Sequence, residues 1–197
     1  MAWEPDYVTL AVARAYVGIT DDADTTDDVR LATDITTASR IVDDHCHRQF
    51  GKVASGEART FEGIFYVPAR RAWCVDVDDL AAAAGLVVVA DGVTLTTDDY
   101  RLTPLNSIQK GRPFERIELA SRAWSVTLTT DQWGWANVPV PVQTATKLQL
   151  KRLFSRIDAE FGISGSPEQQ GELRLLQRID VDAAMAVHRY IREERPR

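Results

Sequence analysis

Along residues 28–49, Leu31, Ile35, Ala38, Val42 and Cys46 recur at intervals of three or four, while Arg30, Thr33, Thr37, Arg40, Asp44 and Arg48 fill the other side. At ~100° per residue these sets separate into an apolar stripe and a polar face, which predicts an amphipathic helix of about six turns. A shorter helix is predicted before it, from Leu10 to Val17, with Thr9 as N-cap and Gly18 as the stop. Between the two, TDDADTTDD (20–28) reads as an acidic turn whose negative charge favours the start of the second helix.

The period changes past Gly51. Short runs rich in Val, Ile, Thr, Tyr and Trp predict strands at 59–66, 73–77, 85–90, 93–97, 114–120 and 124–129. Asp91-Gly92, between LVVVA and VTLTT, is a two-residue hairpin signal. Asp76, Asp78 and Asp79 alternate at a strand end and are expected to face solvent. The polar segment 103–113, with two prolines and a glycine, reads as an exposed loop.

Helical spacing returns after Pro139 and Pro141, with Pro141 suited to a first turn. Val142, Leu150, Leu153, Phe154 and Ile157 gather in an arc of about 120°, and Lys147, Lys151 and Ser155 lie away from it. Residues 162–171 read as a flexible polar loop. Asp180 caps a last helix in which Ala184, Val187 and Ile191 share a face, and the charged tail REERPR frays or docks elsewhere. The fold class is therefore α+β: a helical body of about four helices with an antiparallel β subdomain inserted between helices two and three. The divisions fall at 1–50, 51–136 and 137–197.

Composition adds little to this picture. The 197 residues are 45% hydrophobic and 26% charged, an ordinary globular balance with enough apolar mass for a core. No apolar run approaches the ~20 residues that span a bilayer, and the opening MAWEPDYVTL lacks a signal-peptide pattern. Cys46 and Cys74 lie in different predicted elements, so no disulfide framework is implied.

Charge matters more. Of the net −6, residues 1–28 already carry −6, the stretch 29–146 carries about −2, and 147–197 about +2. Affinity for phosphate rests mainly on Lys and Arg, so this balance argues against a module that grips nucleic acid. It leaves open a protein that lines a DNA passage by repelling the strand.

Candidate chemistry is sparse. In DDHCHRQ, His45 and His47 point ~200° apart on a helix and Cys46 falls on the apolar stripe, while zinc requires about four converging ligands. The acidic run 21–28 lacks the central glycine and closing glutamate of an EF-hand loop. Ser164 and Ser166 do not sit in a nucleophile elbow, and no phosphate-cradling glycine loop with lysine occurs. The expectation is a protein without catalytic residues, metal or cofactor.

Binding surfaces fit better. Trp133 and Trp135 either pack the β subdomain onto the helices or face a partner. Lys110 and Arg112 charge the loop. Near the C-terminus, Tyr190, Ile191, Arg192, Arg195 and Arg197 combine interface-enriched residue types.

The order of these features carries a resemblance. YVTLAVARAYVGI, then TTDDVRLATDITTASRIVDDHCHRQF, DYRLTPLN, WGWANVPVPVQTATKLQLKRLFSR and FGISGSPE resemble the head-to-tail connector (adaptor) proteins of long-tailed bacteriophages. Arg48 and Phe50 match the aromatic segment that ends that family's long helix. Gly134, Trp135, Val138 and Pro139 match a strand that runs into the next helix. The resemblance covers most of the chain and is strongest over 7–50 and 131–167. It implies a dodecameric ring beneath the portal in the virion neck, extending the DNA channel and offering a platform to a stopper or tail protein. DNA would pass through without specific binding, and the C-terminal residues 180–197 would reach the portal protein. The long β insertion exceeds the mostly helical minimal members. Two alternatives remain: a tail-terminator or stopper, where β structure usually dominates, and a small metal-dependent hydrolase built on 43–47.

Overall fold

The apolar stripe over 28–49 becomes the buried face of α2 (Asp28–Cys46) in the computed structural model, which describes residues 5–21, 23–155, 163–164, 173–174 and 179–192. Leu31, Ala38, Val42 and Cys46 are fully buried and Ile35 nearly so. The helix stops three residues short of 49 because His47 turns left-handed (φ 53°) and returns its amide to the Asp43 carbonyl. Before it, α1 (Leu10–Val17) begins where the Thr9 hydroxyl accepts the Val12 amide. It ends at Gly18, whose φ of 100° suits glycine, with the cap amide on the Arg14 carbonyl.

α3 (Val140–Ser155) packs against α1 and α2. Val8, Ala13, Leu31, Ile35, Ala38 and Leu150 form the core, with Leu153 and Phe154 against it. Ile157, expected on the same arc, lies outside the described residues. Arg30 ties α2 to the end of α3: its guanidinium lies 4.4 Å from the Phe154 ring centre and donates to the Phe154 carbonyl at 2.6 Å.

α4 (Val181–Val187) starts at Asp180, whose carboxylate accepts the Asp182 and Ala183 amides, and whose own amide donates to the buried Gln149 side chain of α3. A 3-10 turn, His188–Tyr190, follows directly. The buried residues are Ala183, Val187 and Tyr190, so the expected face through Ala184, Val187 and Ile191 is corrected. Beyond Val187 the tighter winding places residue i+3, not i+4, on the same side. Ile163–Ser164 pairs antiparallel with Leu173–Arg174, so part of the expected polar loop 162–171 is strand.

These helices belong to one compact unit, residues 1–49 with 138–194. Residues 50–137 form a second. The chain enters the second after α2 and leaves it before α3, giving the α+β organisation. Its strands are β1 (Glu57–Phe61), β2 (Phe65–Val67), β3 (Ala72–Leu80), β4 (Val87–Ala90), β5 (Val93–Thr94), β6 (Tyr100–Thr103), β7 (Phe114–Leu119) and β8 (Val126–Thr130). They form two antiparallel four-stranded sheets, ordered β1-β8-β4-β5 and β2-β3-β7-β6.

The single strand expected at 59–66 is two, in different sheets, parted at Gly63 (φ 78°). β6 occupies what read as the approach to a loop. The Asp91-Gly92 hairpin forms as expected, with φ values of 47° and 83° at its two turn residues and Ala90 opposite Val93.

Candidate interaction surfaces

The DQWGW segment turns its tryptophans inward. Trp133 is fully buried and Trp135 is 3% exposed, so neither ring is a surface in this chain. Gly134, at φ 96°, lets the backbone turn between them. The Trp133 indole donates to the Glu57 carbonyl at 3.0 Å, and its ring meets Phe61 and the Arg59 guanidinium. The Trp135 indole donates to the Asp79 carboxylate at 2.7 Å and packs on Phe50. Backbone bonds from Val53 to Trp133, Trp135 to Gly51, Ala81 to Gln132 and Gly134 to Asp79 lash this segment between two others of the same unit.

Asp79 corrects a second expectation. β3 runs to Leu80 with a register shift after Asp76, and the shift turns Asp79 inward, 5% exposed, onto Trp135. Asp76 and Asp78 are half-buried and paired with Arg116 (2.6 Å) and Arg59 (2.9 Å). These carboxylates serve cross-strand structure.

Near the C-terminus, Tyr190 is 7% exposed and belongs to the core of the helical unit. Ile191 and Arg192 are half-buried, and the Arg192 amide donates to the Cys46 carbonyl at 2.9 Å. Arg195 and Arg197 lie outside the described residues. What α4 presents outward is Val181 and Met185, 63% and 72% exposed one turn apart, with Arg189 following. Sequence spacing at i, i+4, i+8 on the side opposite Ala183 and Val187 was the available signal.

The loop with Lys110 and Arg112 is not featureless. It holds a 3-10 turn, Ile108–Lys110, closed by Gly111, and it buries Ser107, whose hydroxyl donates to the Pro104 carbonyl. Lys110 and Arg112 remain exposed, as do Leu105 and Ile108, so the loop offers apolar and cationic groups together. An exposed aromatic site lies in the segment between β7 and β8, beside the Asp91 turn of the β4–β5 hairpin. Trp124 is 73% exposed, Arg122 stacks 4.3 Å from its ring centre, and the Asp91 carboxylate fixes the Trp124 and Ser125 amides. A cleft of about 280 Å³ lined by Asp91, Val93 and Arg122 adjoins it. Trp124 precedes β8, which begins at Val126, so alternation along the strand carries no signal for it.

In the 43–47 segment, Asp43 accepts from the Tyr7 hydroxyl and pairs with Arg40 at 3.1 Å. Burial pushes the Cys46 thiol up to about 12, which keeps it protonated. His47 is exposed, and its backbone amide closes the helix end. Among the described residues, no three His, Cys, Asp or Glu side chains come together as a metal-holding group, and no helix is long and apolar enough to cross a membrane.

No known protein family matches the chain, and no curated protein sequence does. A solved structure shares its fold: a chain of the "Neck of empty GTA particle computed with C6 symmetry" superposes with a TM-score of 0.58 at 14% identity, covering 100% of this chain and 95% of that one.

Proposed function

We propose that this protein is a structural component of the neck of a phage-like particle, an adaptor that forms a ring of copies beneath the portal, extends the DNA channel and receives a stopper or tail protein. The observation that carries this reading is the end-to-end likeness of fold, helical unit and β unit together, to a chain of a particle neck. A six-fold axis, as in that neck, is compatible with the dodecamer that the sequence resemblance implies. The acidic balance of the chain suits a lumen that lets DNA slide. The role asks for surfaces rather than a reaction, and catalysis has no part in it.

In this reading the C-terminal segment meets the portal through the outward Val181, Met185 and Arg189 and the tail 193–197, and Leu105, Ile108, Lys110 and Arg112 meet a second neighbour. Two measurements test it. Antibody labelling of particles should mark the neck; label on capsid or tail fibres, or none on particles, would overturn the reading. Deleting 193–197 should leave the circular dichroism spectrum unchanged and abolish attachment to portal-bearing heads. Cutting at 180 would instead remove Ala183, Val187 and Tyr190 from the core. Normal attachment by the shorter deletion would refute the tail's part in the portal contact.

A further inference from the structure

Lys147 and Lys151 sit one turn apart on α3, with their ammonium groups 5.7 and 5.8 Å from the centre of the Tyr16 ring of α1. Like charges at this spacing slightly weaken a helix, and the core of this unit makes no use of them. On the same short α1, Arg14 points elsewhere: its guanidinium reaches the Asp28 carboxylate at 2.5 Å and the Asp21 and Asp24 carbonyls at 2.7 Å. Those bonds hold the acidic turn in place while the Asp21 and Asp24 side chains stay exposed. Each of these two carboxylates also accepts a nearby amide, from Ala23 and Thr26. The bonds from Thr26 hold the Asp24 carboxyl below its ordinary range, so it stays charged into mild acid. Arg14 and Tyr16 are two residues apart, ~200° around the helix. One compact unit therefore carries a fixed acidic turn on one flank of α1 and a lysine pair on the other.

We propose that the Lys147–Tyr16–Lys151 flank receives the Asp21–Asp24 turn of a second copy of this chain. This rests on the ring reading above. Opposite signs on opposite flanks fit head-to-tail association, in which each added copy leaves one flank of each sign open until the ring closes. A two-fold dimer repeats each contact on both sides of its axis and would need both flanks on one face, which their placement on opposite sides of α1 does not give. The attraction is between solvent-facing charges, so salt weakens it.

The test uses the purified full-length chain, with oligomer size read by sedimentation at roughly 0.02 M and 0.5 M salt. Wild-type chain should associate with rising concentration and disperse at the higher salt. K147E/K151E and D21K/D24K should each require on the order of tenfold more protein to associate. An equimolar mixture of the two variants should assemble near the wild-type concentration, because every reversed flank then meets a reversed complement. Thermal melts establish folding. If a reversal does not fold, K147Q/K151Q and D21N/D24N replace it with a smaller shift in the same direction. Wild-type chain that stays monomeric, variants that assemble as wild type does, or a mixture that fails to recover would each overturn the proposal. Neck labelling separates the two failures. A chain found at necks whose variants associate normally loses only this interface, whereas a chain absent from particles loses the ring reading itself.

Discussion

The helical unit and the β unit differ in how far local spacing along the chain sets what they bury. In the helical unit each buried face follows local spacing and several ion pairs are neighbours on one helix, as with Arg40 and Asp43 or Arg30 and Asp34. A remote bond from Arg30 to the Phe154 carbonyl, across 124 residues, joins faces already formed. In the β unit the decisive bonds are remote. Trp133 reaches Glu57 across 76 residues and Trp135 reaches Asp79 across 56, while Arg116–Asp76 and Arg70–Glu118 join separate segments. A change in the first should be felt in one helix and the helices packed on it; a change in the second removes a tie on which several strands depend.

The largest effects should come from the cores themselves, and each unit contains one buried thiol that reports on it: Cys46 among the helices and Cys74 in β3. Burial raises both thiols' pKa, so neither reacts readily while its surroundings stay closed. Trp133→Ala should cost about 3–5 kcal/mol, and Leu31→Ala about 2–5 kcal/mol. Thiol labelling along a urea series should show Cys74 exposed earlier in the first variant and Cys46 earlier in the second. If both thiols open together in both variants, the two regions unfold as one and the contrast drawn above fails.

The Asp79–Trp135 bond should rank next. Asp79→Ala leaves a buried indole N–H without this acceptor and should cost about 2–3 kcal/mol, whereas Asp79→Asn keeps an acceptor and should cost about 1 kcal/mol. The loss should register in the urea midpoint for Cys74. Equal losses from the two substitutions would mean that the charge, not the hydrogen bond, is what Trp135 requires.

The same contrast explains what could be read in advance. The stripe of α2 was legible to the residue because helical periodicity is a local property, and the Asp91-Gly92 turn because φ > 0 at both positions restricts composition. The split at Gly63, the extra strand at Tyr100–Thr103 and the inward turn of Asp79 depend on which remote segment pairs with which, and no window of the sequence contains that information. Tyr190 takes the buried place expected for Ile191 because a 3-10 turn follows α4. For the surfaces, Lys147 and Lys151 were legible as the polar side of α3. Their meeting with Tyr16 needed the packing of α1 on α3.

The smallest effect expected is also the most local. Asp180 accepts two amides at the start of α4, and Asp180→Ala should cost about 1 kcal/mol, the usual loss of an N-cap. A helix of seven residues has little cooperativity of its own, so the change should appear as fraying of its first turn. Hydrogen exchange at the Asp182 and Ala183 amides should quicken about fivefold, the rate equivalent of that energy. The Arg192 amide joins the chain after α4 to the Cys46 carbonyl, so Cys46 labelling should quicken slightly and Cys74 labelling should not. A response at Cys74 would mean that a cap on one helix is felt in the β unit, and the two units would no longer respond separately.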